Sequence, residues 1–263
     1  MVNLRIFLFI LSLIVLNTMA SGELLDSSLT EKGFRLPNDS VSKNFFMMKR
    51  SPEINYLVKY IIKTNYKISK EDAFDIATNV VKVSNCFKVD PWVLTGLIQK
   101  ESSFTRDAVS PTNAAGLTQF TSSGFKEVND QLGFRGNDSA TDAAILFFNT
   151  QILECVDPNW VNLWVKVGVP ESDEDFYNLS KEEIKKDVQT AVVYGAILLK
   201  TYVAYADIKA SKLEKHPSMS ETYFQALQIY NGEEGDAKVK YAKGIFLNLK
   251  SLYPVPVNFS FLD

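Results

Sequence analysis

A glutamate at the end of an apolar helix is the residue of this chain best placed to do chemistry. The spacing predicts a helix over residues 90–102, in which Leu94, Leu97 and Ile98 precede Glu101 by seven, four and three positions. With about 3.6 residues per turn, these four side chains share one face of the helix. Partial burial and the negative end of the helix dipole both disfavour a carboxylate at that position. Glu101 is therefore expected to hold its proton near neutral pH, as a general acid must.

Residue types that the chain lacks argue against other kinds of catalysis. The single histidine, His216, lies in a segment predicted to be a loop between two helices. A histidine-based zinc site, a Ser-His-Asp triad and Cys-His catalysis are therefore all disfavoured. The sequence has no glycine-rich phosphate-binding motif and no CxxC spacing. What remains is carboxylate chemistry, and we predict that it uses no metal ion and no cofactor.

The residues that follow Glu101 resemble the motif of the soluble lytic transglycosylases. That family reads E-S-x-F, then A-x-S, then G-L-M-Q, and residues 101–119 read E-S-S-F-T-R-D-A-V-S-P-T-N-A-A-G-L-T-Q without a gap. Residues 226–232, A-L-Q-I-Y-N-G, resemble the family's later A-L-x-x-Y-N-x-G block. Three departures stand out: Thr118 replaces the family's Met, no Pro follows the Gln block, and Gly232-Glu233 replaces its usual Ala-Gly.

The resemblance implies a mainly α, lysozyme-like helical domain of the transglycosylase SLT type that acts on peptidoglycan glycan strands. Glu101 would be the single catalytic residue. It would first protonate the β-1,4 bridging oxygen between N-acetylmuramic acid and N-acetylglucosamine. As a carboxylate it would then accept the proton of the muramic acid 6-hydroxyl, which closes a 1,6-anhydro ring. The matched motif positions implied to contact substrate or shape the site are Ser102, Gly116, Gln119, Tyr230 and Asn231.

Each of these five residues also has a structural interpretation. Ser102 is equally suited to be a helix-terminal hydroxyl, and Gln119 could be a surface side chain. Gly116 is expected to let the backbone turn close to Glu101. Tyr230 lies seven residues after Tyr223 on a predicted helix and could pack in the core, and Asn231 could end that helix.

Two other functions fit the same pattern. One is a goose-type lysozyme-like hydrolase, in which water rather than the 6-hydroxyl attacks the sugar. The other is a catalytically inactive glycan-binding or assembly protein. The acidic residues nearest in sequence, Asp107 and Glu127, are not placed by spacing at the site, and surface ion pairs are the expected fate of both.

The first twenty residues predict export from a bacterial cell. Arg5 precedes an apolar run from Ile6 to Leu16, and Thr18-Met19-Ala20 has the small residues of a cleavage site. No later segment is expected to be apolar enough to span a membrane, so we expect a periplasmic or secreted protein without stable membrane insertion. The net charge of −3 argues against a nucleic-acid partner. We expect a monomer whose partner is the peptidoglycan strand.

Beyond this signal peptide, residues 21–50 form a polar, irregular lead-in, and residues 51–263 form a single helical domain. Residues 130–186 are longer than the corresponding segment of the family and predict an inserted helical segment. Helix starts are predicted at Ser51, Ser69, Asp90, Asp157, Ser180 and Ser218, and a last helix at residues 236–252.

The inserted segment raises two further questions that the sequence leaves open. Trp160, Trp164 and Tyr177 could stack on sugar rings, although core packing is the default expectation. Cys86 and Cys155 could form one disulfide in an oxidising compartment, or remain two buried thiols.

Overall fold

The computed structural model describes residues 52–132, 163–168, 171–232 and 234–253, together with Phe259. Within these residues the chain is helical, and its only β-like pairings are two isolated bridges, which confirms the predicted mainly α fold class. The helices are α1 (Pro52–Thr64), α2 (Lys70–Phe87), α3 (Pro91–Ser102), α4 (Ser122–Leu132), α5 (Leu163–Lys166), α6 (Asp173–Lys186), α7 (Val188–Lys212), α8 (Met219–Asn231) and α9 (Asp236–Leu252).

The long helix α7 forms the centre of the core. It packs against α2, α3, α4, α6 and α8, and its side chains are buried along most of its length. Among the described residues, α7 is also the one helix long and apolar enough by composition to cross a membrane. The prediction that no segment after the leader is that apolar was therefore wrong, because a helix buried on all sides has the same composition as a membrane span.

Local capping signals placed most of the helix starts correctly. The side chain of Ser69 accepts a hydrogen bond at the start of α2, and Ser218 and Glu221 form a reciprocal capping box at the start of α8. Asp90 is fully buried, and its Oδ1 accepts from the backbone N–H groups of Trp92 and Val93 at 2.7 and 3.0 Å.

The predicted cap at Ser180 was wrong. Ser180 lies inside α6, whose cap is Ser172, while α7 begins after Asp187, whose side chain accepts from the backbone of Gln189 and Thr190. The local pattern at Ser180 was misleading because a buried serine within a helix and a capping serine have the same sequence signature. The helix α4 was not predicted at all.

Several sequence predictions fall outside the described residues. They are the signal peptide, the lead-in, the helix start at Asp157 and most of the inserted segment. Of that segment, the structure describes α5 and α6. Lys166 on α5 forms ion pairs with Glu183 at 3.1 Å and Asp187 at 2.9 Å, which ties α5 to the junction between α6 and α7.

A close helix contact brings α9 against α3. A Cβ added to Gly96 on α3 would lie 3.0 Å from Leu249 Cδ2 and 3.2 Å from Ile245 Cγ2 on α9. Gly96 therefore lets the two helices approach more closely than a larger residue would allow. The same interface continues to the carboxyl end of α3, where Glu101 lies.

A second close contact holds the loop that follows α3 against α7. A Cβ added to Gly195 would lie 2.6 Å from Cγ2 of Thr118, and the Thr118 side chain is fully buried. Since real Cβ atoms do not approach other atoms so closely, residue 195 must be glycine unless the loop moves. The glycine at position 195 is thus explained by the packing of this loop on α7.

We predict that Gly195→Ala destabilises the protein by about 2 kcal/mol, because the new methyl group overlaps Thr118. Urea unfolding would measure the loss. Gly244→Ala is the matched control, since its new Cβ would meet nothing closer than Lys100 Nζ at 3.7 Å and helix propensity favours alanine there. Adding Thr118→Ser, which removes the overlapping methyl, should restore part of the stability. An unchanged midpoint in Gly195→Ala would contradict the packing argument.

Candidate active site

Glu101 lies in the last turn of α3, partly buried, on the face that carries the apolar side chains. Leu94, Leu97 and Ile98 on that face are fully buried. Burial raises the pKa of Glu101 from its ordinary 4.5 to about 7, against the opposing effects of a hydrogen bond from Tyr241 and the positive charge of Lys100. The carboxyl group is therefore about half protonated at neutral pH, so it can both give and accept a proton there.

Tyr241 on α9 is the hydrogen-bond partner of this carboxyl group. Its O–H donates to Oε1 of Glu101, and burial together with the charge of Glu101 raises the pKa of Tyr241 well above 10. Tyr241 therefore stays protonated and remains a donor. The Lys100 ammonium lies 5.8 Å from the centre of the Tyr241 ring, on the same helix end.

The charge of Glu101 also affects the pKa of Tyr230 on α8. The negative charge of Glu101 contributes to a pKa for Tyr230 that burial already raises well above 10. The Tyr230 hydroxyl donates to the backbone carbonyl of Thr118 at 2.8 Å. Tyr230 thus packs against the core, as its structural interpretation requires, and also ties α8 to the loop that follows α3.

Two of the predicted substrate-contacting side chains bond within their own segments. The Ser102 hydroxyl is buried and donates to the carbonyl of Ile98, four residues earlier in α3, at 3.1 Å. The Gln119 amide nitrogen donates to the carbonyls of Ala108 at 3.1 Å and Gly116 at 2.9 Å. The Gln119 contacts support the loop, whereas the Ser102 contact lies within α3. The predicted contacts of these two residues with sugar stay predictions.

Gly116 adopts a left-handed conformation, with φ of 76°, so the predicted backbone turn is present. The atoms nearest an added Cβ belong to Ile184 of α6, at 3.1 and 3.3 Å, and to the backbone of Arg106. Glycine is therefore also favoured here by the close approach of the inserted helix, and the predicted passage of this turn beside Glu101 stays a prediction.

The inserted helix α6 makes further contacts with the same loop. Arg106 donates to the backbone carbonyls of Lys185 and Lys186 at the end of α6 and forms an ion pair with Asp72 of α2 at 3.1 Å. The Lys181 ammonium donates to Oδ1 of Asn113 at 2.8 Å. The described part of the insertion thus holds the loop between Glu101 and Gln119 in place.

Tyr177 belongs to this support rather than to an exposed stacking surface. Its hydroxyl donates to the backbone carbonyl of Asn113, and its ring packs 5.8 Å from that of Phe125. The default expectation of core packing is the one that the structure favours for Tyr177. Trp160 and the side chain of Trp164 lie outside the described residues.

Asn231 is the last residue of α8, and Gly232 follows it in a left-handed conformation that ends the helix. The Oδ1 atom of Asn231 is buried and has no hydrogen-bond partner among the described residues. A substrate contact for Asn231 stays a prediction. Glu233, the residue that makes this loop more acidic than the family pattern, lies outside the described residues.

The remaining predictions for the site concern the histidine, a metal ion and the two cysteines. His216 lies exposed in the loop between α7 and α8. Within the described ranges, no group of three or more His, Cys, Asp or Glu side chains is placed to hold a metal ion. No free cysteine is found in that part of the chain, and Cys155 lies outside it, so the bond between Cys86 and Cys155 stays a prediction.

Tyr241 was missed by sequence reasoning. It lies 140 residues after Glu101, and nothing in its immediate neighbours distinguishes it from other helical tyrosines. One available signal was its position four residues before Ile245, which places the two side chains on the same face of the predicted last helix. That periodicity indicates a partly buried tyrosine, but it does not identify the partner.

The part of the chain that carries Glu101 matches one known protein family. Residues 78–145 match the family model described as the transglycosylase SLT domain. The match includes Glu101 and Gln119 but ends before Tyr230. No curated protein and no solved structure shows a significant match. The match confirms the predicted resemblance to the soluble lytic transglycosylases, whose lysozyme-like domains act on peptidoglycan, a substrate outside the cytoplasmic membrane.

We predict that Glu101→Gln stabilises the protein at high pH and not at low pH. Because the pKa of Glu101 is about 7 in the folded protein and near 4.5 when exposed, wild type loses stability as pH rises from about 4.5 through 7. Glutamine is neutral throughout and keeps an oxygen for Tyr241. The variant should gain about 2 kcal/mol in urea unfolding at pH 8 and nothing at pH 4. The exposed Glu182→Gln variant should show no such gain, and a pH-independent difference for Glu101→Gln would contradict the assignment.

We also predict that Tyr241→Phe raises the pKa of Glu101 above its wild-type value of about 7. In wild type the hydrogen bond from Tyr241 stabilises the carboxylate form, and the variant lacks that bond. Carbon NMR titration of the glutamate side-chain carboxyls would measure the shift. Tyr60→Phe is the matched control, since the Tyr60 hydroxyl donates at 2.6 Å to Gln99, two residues before Glu101. A lower or unchanged pKa in Tyr241→Phe would show that the hydrogen bond does not control the acid.

Proposed function

We propose, from the premise that this chain contains a transglycosylase SLT domain, that it is a peptidoglycan lytic transglycosylase with Glu101 as its catalytic acid and base. The observation that carries the proposal is the partly buried carboxyl group of Glu101, whose pKa of about 7 suits proton transfer in both directions near neutral pH. The proposal concerns the bond between N-acetylmuramic acid and N-acetylglucosamine and the anhydro-sugar product.

In the first step, protonated Glu101 gives its proton to the bridging oxygen of the glycosidic bond. The bond between that oxygen and the anomeric carbon of N-acetylmuramic acid breaks, and N-acetylglucosamine leaves with a free hydroxyl group. Positive charge develops on the muramic acid ring while Glu101 becomes a carboxylate. The negative charge that remains on Glu101 lies next to the ring that carries the positive charge.

In the second step, the 6-hydroxyl of the muramic acid attacks its own anomeric carbon. Glu101 takes the proton of that hydroxyl, a 1,6-anhydro ring forms, and the enzyme returns to its starting state. No water is consumed. Because the nucleophile belongs to the same sugar, proximity replaces the positioning of a solvent molecule.

The electrostatic surroundings of Glu101 favour this single-acid scheme over one with two carboxylates. In the described part of the chain, no other carboxylate contributes to the pKa of Glu101; the contributing groups are Tyr241 and Lys100. An ordinary hydrolase needs a second carboxylate within about 5–10 Å of the first to activate water or to form a covalent intermediate. The contacts of Glu127 are with Tyr205 and Gln131.

Tyr241 and Tyr230 have different functions in this scheme. The hydrogen bond from Tyr241 stabilises the carboxylate that forms when the proton leaves, which eases the first step. Tyr230 fixes the loop backbone at Thr118, next to Gln119, so that this segment keeps its place beside the acid. The predicted contacts of Ser102, Gln119 and Asn231 with the sugar are part of the proposal.

The cellular setting is also proposed. Peptidoglycan lies outside the cytoplasmic membrane, and the apolar run near the N-terminus, from Ile6 to Leu16, supports export through a signal peptide into the periplasm or the medium. The protein would act there as a monomer, without a cofactor.

We predict that digestion of purified sacculi releases fragments lighter by one water than hydrolysis products, which mass spectrometry would detect. Glu101→Gln should reduce release at least about 100-fold, because it removes the proposed general acid, while exposed Glu182→Gln should act like wild type. Full-mass fragments would instead indicate a goose-type hydrolase. A wild-type protein that binds sacculi but releases nothing would indicate a glycan-binding or assembly protein.

A further inference from the structure

The last turn of α3, which carries Glu101, is anchored from outside by α1 and the loop that follows it. The backbone N–H of Ser103 donates to the carbonyl of Gln99 at 3.0 Å and closes this turn. The Tyr60 hydroxyl of α1 donates to Oε1 of Gln99 at 2.6 Å, at the start of the turn. The Asn65 amide nitrogen donates to the carbonyl of Ser103 at 3.0 Å, at its end. Both ends of the turn are therefore held by side chains from one short stretch of the chain.

Asn65 lies between α1 and α2, and its own position is fixed by two local hydrogen bonds. Its backbone N–H donates to the carbonyl of Ile61 at 2.8 Å, and its Oδ1 accepts from the backbone N–H of Lys67 at 3.1 Å. Turning the amide group over would lose the bond at Oδ1 and the bond to Ser103 together. The Asn65 side chain thus presents its N–H donor in one direction, toward the end of α3.

The backbone that leaves this turn has a conformation that needs support. Ser103 and Phe104 follow one another in left-handed conformations, with φ of 51° and 66°, which residues with a side chain rarely adopt. The bond from Asn65 satisfies the carbonyl of Ser103. The Phe104 ring is buried and meets the Tyr60 ring edge to face, with centroids 6.5 Å apart. Contacts from α1 and its loop therefore offset the strain directly after Glu101.

We propose that Asn65 is a positioning residue, which fixes the direction of the Glu101 carboxyl group through the carbonyl of Ser103. The inference rests on the proposed function, since it concerns catalysis only if Glu101 transfers the proton. Tyr241 holds the carboxyl group itself, whereas Asn65 holds the backbone from which that side chain extends. A general acid must point at the oxygen that it protonates, and a displacement of about 1 Å can lower the rate about 100-fold.

The family resemblance does not reach this anchor. The residues that match the family model begin at residue 78, after α1 and Asn65. Asn65 is also 38 residues from Ser103 in sequence, so spacing along one helix cannot reveal the contact. The chain therefore supports its acid with a segment that lies outside the matched domain.

Asn65→Asp tests the proposal with a side chain of the same shape. Aspartate keeps the acceptor for Lys67, but as a carboxylate it has no N–H for the carbonyl of Ser103. On soluble peptidoglycan strands, Asn65→Asp and Asn65→Ala should lower kcat about tenfold and leave KM unchanged, because they alter the direction of the acid and no proposed substrate contact. Thr64→Val is the matched control with wild-type kcat, since its lost bond, to the carbonyl of Tyr60 at 2.9 Å, lies within α1.

Three measurements without substrate separate positioning from a general loss of structure. Hydrogen exchange of the Ser103 amide should be about fivefold faster in Asn65→Ala, because the end of the turn opens more often. The pKa of Glu101 should stay at about 7, since its burial and the bond from Tyr241 remain. Asn65 is partly exposed, so the urea midpoint should stay close to that of wild type.

The outcomes distinguish this inference from the proposed function. Wild-type kcat in Asn65→Asp, or a loss of kcat equal to the loss of folded protein, would overturn the positioning role. An unchanged exchange rate at Ser103 would do so as well, and so would a lower pKa of Glu101, which would mean that water has entered the site. Full-mass fragments with the same tenfold loss would reject the transglycosylase and keep Asn65 as the positioning residue of a hydrolase. If wild type releases nothing, the proposed function and the catalytic role of Asn65 both fail, whereas faster exchange at Ser103 would retain the anchor.

Discussion

The site depends on the close packing of α3 against α9. Gly96 allows the approach, since an added Cβ would lie 3.0 Å from Leu249. Farther along the same interface, Tyr241 of α9 reaches the carboxyl group of Glu101. If the two helices separated, water would enter between them, and both the hydrogen bond and the desolvation that raises the pKa of Glu101 would be lost. The raised pKa of Glu101 therefore depends on the packing of two helices and not on the residue alone.

The backbone conformation of the segment between Glu101 and Gln119 costs free energy, and contacts from several helices stabilise it. Ser103, Phe104, Asn113 and Gln119 adopt left-handed backbone conformations that residues with a side chain rarely adopt. Contacts from other elements offset this cost: Tyr230 bonds to the backbone of the segment, and the end of α6 accepts from its arginine. The insertion therefore has a mechanical function in the described part of the fold, because it keeps a strained segment in one conformation.

Sequence predicted what local chemistry determines. Glu101, the caps at Ser69 and Asp90, and the last helix all follow from spacing within a few turns, and the structure has them where predicted. The partner of Glu101 was not predictable in this way, because the contact with Tyr241 depends on how distant helices pack. The contact between Gly116 and Ile184 was not predictable either, since Ile184 belongs to the insertion. The family resemblance identified candidate residues of the site. It did not identify their contacts, because those depend on how the helices pack.

The hydrogen bond from Tyr241 also makes the two oxygens of Glu101 unequal. Since the tyrosine hydrogen points at Oε1, the acidic hydrogen of the neutral carboxyl group is left to Oε2. Under the proposed function, a bridging oxygen would approach Glu101 from the Oε2 side, so the direction of protonation would be set before any sugar binds. The tyrosine that lowers the pKa of the acid would thereby also select which side of the sugar linkage receives the proton.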